Sequence, residues 1–233
     1  METLAATIAI YRRSFERGAV AAAKNWPVAG SLFLYFALLT ATVPIFARLG
    51  IVGGFLLSLL WSACMGSFLS LVEAIVRSGR VTLEDFRTSF GRYLWDVVGV
   101  SFLLWIFWTV AMPAFATMPN GIALVLAVQL ILFVILNAVP ELIYLGHHSS
   151  LELVTASYSF IGENWIEWFP PNLVLALGLW WLLELEMPGA LFLVHAAIVA
   201  LYVYFAMAVR GFLFQELAGS SRRSRAFRHR MGQ

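Results

Sequence analysis

Charge is what this chain has least of: Asp, Glu, Lys and Arg make up 12% of its 233 residues, against about 25% in a usual soluble domain. Its 13 acidic and 15 basic side chains are too few to coat a soluble globule of this length. Cysteine is almost missing as well. Cys64 stands alone inside an apolar run, which excludes an internal disulfide framework and leaves it the role of a small packing residue. Also lacking are a Cys-x-x-Cys pair, a glycine-rich phosphate loop, a serine-hydrolase elbow and an H-E-x-x-H zinc motif. His147 and His148 have no third ligand at a suitable spacing, so no metal and no cofactor are expected. What abounds is oil. Apolar letters reach 61% and mean hydropathy is +0.86, which points to lipid as the solvent.

A helix needs roughly 20 apolar residues to cross a bilayer, and six such runs are present, over 28–47, 51–76, 94–112, 122–145, 172–187 and 189–214. Short breaks at 48–50, 113–121 and 187–189 pair them into three hairpins. Every Lys and Arg except Arg48 falls on the side of the chain termini in this arrangement. By the positive-inside rule both termini are therefore expected to be cytoplasmic. Arg12, Arg13, Glu16 and Arg17 interrupt the first apolar stretch, which argues against a cleaved signal peptide.

A repeat organises the chain. Trp26, Trp95 and Trp165 recur at intervals of 69 and 70 residues, each at or just before an odd-numbered span. Ahead of each lies an apolar stripe at helical spacing: Leu4, Ile8, Tyr11, Phe15 and Ala22; Leu83, Phe86, Phe90 and Leu94; Leu151, Val154, Tyr158 and Ile161. Thr82 with Asp85 and Ser149 with Glu152 form matching capping boxes at the start of the second and third stripes. The expected fold is all-α, a six-span bundle of three hairpins, each introduced by a cytoplasmic interfacial helix. Residues 1–219 form one membrane domain with pseudo-repeats over 3–79, 80–148 and 149–219, followed by a basic, disordered tail over 220–233. The tryptophans serve as interfacial anchors.

The order of amphipathic helix, Asn-Trp pair and hairpin, as in Lys24-Asn25-Trp26 and Glu163-Asn164-Trp165, resembles the bacterial inner-membrane YciC-type family. It is also similar to the membrane domain attached to some glycerophosphodiester phosphodiesterases, as is the stretch from Val139-Pro140-Glu141 to Asn164-Trp165. That resemblance implies a six-helix protein of the bacterial plasma membrane without an established reaction. Phosphodiester chemistry does not carry over, because no phosphodiesterase domain is attached.

Ionisable groups inside spans are functional candidates by default. Glu73 and Glu141 lie 68 residues apart near the ends of the second and fourth spans, and Asn137 shares a helix face with Glu141 beside Pro140. Either the three line a polar notch, or the glutamates end in the interface against arginines such as Arg77 or Arg80. Glu184 and His195 fall at similar depth below the last hairpin turn. They make either a proton relay or ion site, or a structural hydrogen bond. The fifth span is short and follows Pro170-Pro171, a pattern found at transporter sites. In the tail, Arg222, Arg223, Arg225, Arg228 and Arg230 suit anionic lipid headgroups, and no folded reader of nucleic acid accompanies them. The sequence thus favours a non-enzymatic integral membrane protein acting in membrane organisation or partner binding. Its partners are lipids and either another membrane protein or a second copy, and a small transporter is the alternative.

Overall fold

A computed structural model describes residues 2–146, 150–185, 187, 189 and 191–219. The tail arginines, His147, His148 and the Ser149 cap lie outside the described residues. Among the described residues every regular element is a helix. They are α1 (Glu2–Lys24), α2 (Pro27–Ala47), α3 (Gly50–Ser78), α4 (Leu83–Ser89), α5 (Leu94–Ala116), α6 (Gly121–Ile135), α7 (Val139–Glu141), α8 (Ser150–Glu184) and α9 (Leu191–Ala218). A π-helical turn over Leu142–Gly146 follows α7. Six stretches are long and apolar enough to cross a membrane: α2, α3, α5, Gly121–Gly146, Leu151–Glu184 and α9.

Consecutive helices pack on one another in the pairs α2 with α3, α5 with α6 and α8 with α9, and α1 lies along α9. That last contact uses the small face of α1. Ala6, Ile10, Ser14 and Ala21 are buried, and Gly18 lies so close to Val209 that a Cβ there would strike its side chain. The stripes of larger residues are divided: Leu4, Ile8, Leu83, Leu151 and Tyr158 are exposed, while Ile161 is buried and Tyr11, Ala22 and Phe86 pack against the core. Close backbone approach requires the glycine at position 18.

Local signals set the boundaries. Gly79 takes a left-handed conformation, φ 74°, and closes α3 with its N–H on the carbonyl of Ile75. Thr82 and Asp85 form the expected capping box at the head of α4. Asn25 ties the α1–α2 turn to the loop after α3. Its Nδ2 donates to the carbonyls of Ala21 at 2.9 Å and Gly79 at 3.1 Å, and its Oδ1 accepts the N–H of Val81 at 2.9 Å.

Two spans differ from their expected form. The fifth does not begin after Pro170-Pro171; α8 runs unbroken through both prolines for 35 residues, so the third stripe and the span are one helix. Pro170 has no N–H for the carbonyl of Ile166, and the Tyr11 hydroxyl donates to that oxygen instead at 3.3 Å. The fourth span is interrupted where continuity was expected. Its regular helix stops at Ile135, and the chain turns through 136–138 before Pro140 restarts it as α7. Proline cannot donate to the carbonyl four residues back and collides with it, so the helix opens just ahead of it.

Candidate functional site

The opening of the fourth span frees carbonyls, and what satisfies them builds the site. Ser157 of α8 donates its hydroxyl to the carbonyl of Ile135. Arg210 of α9 donates Nη2 to the carbonyl of Asn137 at 2.6 Å. The same guanidinium grips Glu141 with both edges, Nε to Oε1 at 2.7 Å and Nη2 to Oε2 at 2.9 Å, the planar fork that suits a carboxylate. Its Nη1 donates to Asn172 Oδ1 at 3.0 Å and Asn137 Oδ1 at 3.4 Å. All five N–H donors of Arg210 are thereby engaged. Trp168 completes the enclosure. Its indole N–H donates to Asn137 Oδ1 at 2.8 Å, and its ring lies 5.1 Å from the guanidinium carbon. Glu141 and Trp168 are fully buried.

Glu73 is buried in a second cluster. It pairs with Arg77 at 3.0 Å, one turn along α3, and with Arg92 at 3.3 Å, and it accepts the hydroxyl of Tyr93 at 2.6 Å. Burial, then the hydrogen bond and charge of Glu73, push the Tyr93 phenol above its ordinary value, so Tyr93 stays protonated and donates. Tyr144 stands between the clusters. Its carbonyl accepts Arg77 Nη2 at 3.4 Å, while its buried hydroxyl has no hydrogen-bond partner among the described residues.

Of the residues singled out from sequence, Asn137 and Glu141 are brought together, and Glu73 has its own partners. Both glutamates are buried, Glu141 against Arg210 of α9 and Glu73 under Arg77, Arg92 and Tyr93. Arg77 pairs with Glu73 as one reading held; the cation on Glu141 is Arg210. Trp26, Trp95 and Trp165 are all exposed. Glu184 and His195 are not joined: Glu184 is exposed, and His195 Nε2 lies 2.7 Å from the carbonyl of Leu182. A carbonyl only accepts, so this nitrogen carries the proton. Sequence reasoning missed Arg210, Trp168 and Asn172 as site residues. One signal was available for Arg210, which follows Glu141 by 69 residues as Glu141 follows Glu73 by 68.

Beside the Arg210 cluster a cleft of about 660 Å³ runs between α5, α6, α8 and α9. Its walls are apolar, with Trp108, Leu132, Leu173 and Met207 among them, and its polar groups include Asn137, Asn172 and Arg210 at one end and Gln129 in the α6 wall. Compared with known proteins, the chain matches no family model, no curated protein and no solved structure, so its reading rests on its own geometry.

Proposed function

We propose that this chain is a non-enzymatic multi-pass integral membrane protein of the bacterial inner membrane, with cytoplasmic termini, that organises lipid or holds a partner within the bilayer. One observation carries the reading: Arg210, the cation set into the sixth span, has every donor engaged by the protein. A guanidinium so enclosed fastens three helices together and leaves no open charge to work on a solute. The exposed Leu4, Ile8, Leu83, Leu151, Trp26, Trp95 and Trp165 give α1, α4 and the start of α8 an apolar side to lay on the headgroup region. In this reading three hairpins enter from the cytoplasmic face, each from such an interfacial stretch, as the resemblance to the YciC-type family implies. The tail arginines add contacts to anionic headgroups.

A transport reading is second. It is favoured by the interrupted fourth span facing the cleft and by Gln129, whose amide has no hydrogen-bond partner among the described residues. A proteoliposome flux screen separates the two. Membrane organisation requires no flux for any solute tested, with wild-type stability in Glu184→Gln, His195→Ala and Gln129→Leu. Flux that these variants abolish makes the protein a permease. Cysteine labelling at residues 2 and 148 tests the topology, and opposite sides for the two overturn the six-span arrangement.

A further inference from the structure

The cleft has a polar end and an apolar length, and its depth in the bilayer follows from helix geometry. Arg210 lies 19 residues beyond the start of α9, or about 28 Å at about 1.5 Å per residue. The hydrocarbon of a bilayer is about 30 Å thick. The Arg210 backbone therefore stands near the hydrocarbon boundary on the side where α9 ends, and its guanidinium reaches back to Asn172, about 18 Å from the end of α8, so the polar end lies just inside that boundary and the rest of the cleft extends from there into the acyl region. Its rim includes Phe133 and Leu173, both exposed, so it opens sideways to lipid.

The polar end is uneven in what it offers. Arg210 is fully engaged and Asn172 Nδ2 donates to the carbonyl of Trp168 at 2.6 Å. Asn137 Oδ1 takes the indole of Trp168 and a guanidinium N–H, two donors that fix which way the amide faces. Its Nδ2 has no acceptor among the described residues, and Asn137 lines the cleft. An occupant thus needs a long apolar body and, at the hydrocarbon boundary, an uncharged oxygen that accepts from Asn137 Nδ2. Charge is not wanted, because Glu141 already balances Arg210.

We propose that the cleft binds one acyl chain of a membrane glycerolipid, with the ester carbonyl of that chain accepting a hydrogen bond from Asn137 Nδ2. Glycerol ester groups lie at the hydrocarbon boundary, next to the polar end of the cleft, and acyl chains are the solvent at the cleft mouth. The volume falls within the roughly 300–1,000 Å³ of ordinary ligand sites. The proposal rests on the membrane reading above and specifies which lipid group is held and where.

The test reconstitutes the full chain into phosphatidylethanolamine vesicles containing a small share of phosphatidylcholine with a diazirine on one acyl chain. After photolysis the labelled residues are mapped by peptide mass spectrometry. Labelling is expected to concentrate on cleft residues such as Leu132, Leu173 and Met207. Ala176→Trp, which fills the cleft, is expected to reduce it about fivefold or more, with Val110 and Ile51 on the outer surface labelled as before. An ether-linked probe without the carbonyl is expected to label the cleft about three- to tenfold less, the worth of one hydrogen bond. Even labelling of the outer surface, or an ether probe equal to the ester, overturns the proposal. So does cross-linking through α6 and α9 to a second copy, which would make the protein itself the occupant. Chain that is stripped from the vesicles by alkaline carbonate defeats the membrane reading too; chain that stays embedded while cleft labelling fails defeats the lipid site alone.

Discussion

At the end of the bundle where α9 finishes, Trp168, Tyr144, Tyr204 and Val72 are fully buried; at the other end Ile51, Val110 and Ile122 expose 94%, 71% and 81% of their surface. The first region is put together like the core of a soluble protein, with aromatic packing among Phe160, Trp168 and Phe214 and both buried glutamates. The second presents large apolar side chains outward, Phe55, Trp105 and Leu126 among them. The difference follows from the solvent. Apolar side chains gain little by leaving lipid tails for one another, so spans can separate in hydrocarbon and leave a cleft. Where water reaches, the hydrophobic effect returns and favours the packing of α1 on α9 and of α4 on α3.

That contrast can be broken by mutation, and the greatest effect belongs to Arg210. Arg210→Met leaves Glu141 buried without its cation and is expected to lower stability by about 3–5 kcal/mol, read from thermal unfolding in detergent. Adding Glu141→Leu to it should restore most of the loss, since removing both charges removes the uncompensated one. A double variant as unstable as the single would mean that the fork is not what joins α7 to α9. Glu73→Gln comes next, at about 1.5–3 kcal/mol for charge-assisted hydrogen bonds. It ranks lower because Arg77 and Arg92 are half-exposed and return to water when released.

A third substitution probes the margin of the packed end. Thr82→Ala is expected to cost about 1 kcal/mol through the lost N-cap. The same cap gives a pH signature. Hydrogen bonds from the Thr82 side chain, then from its backbone N–H, hold the Asp85 carboxyl below its usual range. A depressed carboxylate contributes stability at neutral pH, and that contribution disappears as the pH falls through its folded value. Asp85→Asn should flatten this acid limb, and an unchanged limb in that variant would assign it to another group. The smallest effect is expected at the far end. Ile122→Ala should change stability by less than about 0.5 kcal/mol, because its side chain meets lipid in place of protein. A cost near that of Thr82→Ala would show that the far end is covered by another protein surface, and would erase the contrast between the two regions.

Much of this was legible beforehand, for particular reasons. Six long apolar stretches, the Thr82–Asp85 cap and the candidacy of Asn137 and Glu141 rest on local composition and spacing. Sequence spacing misjudged the two proline sites in opposite directions. Pro170-Pro171 are absorbed because Tyr11, 155 residues away, supplies a donor to the freed carbonyl of Ile166. Pro140 opens its span because Arg210 and Ser157 supply donors to the opened turn. In both places the outcome depends on a group distant in the chain, which no local pattern records. The stripe on α1 does not mark the face that meets α9, where close packing uses Gly18 and Ala21 while Leu4 and Ile8 stay exposed.

By itself, then, the sequence determined the helical class and the six long apolar stretches that suit a membrane, since both follow from composition and spacing. Only the tertiary structure decided that Arg210 neutralises Glu141, that His195 bonds to the carbonyl of Leu182 and leaves Glu184 alone, and that a cleft opens beside Asn137. Partner choice among buried polar groups is set by three-dimensional proximity under the demand that each donor and acceptor be satisfied, and that demand is met by helices far apart in the chain.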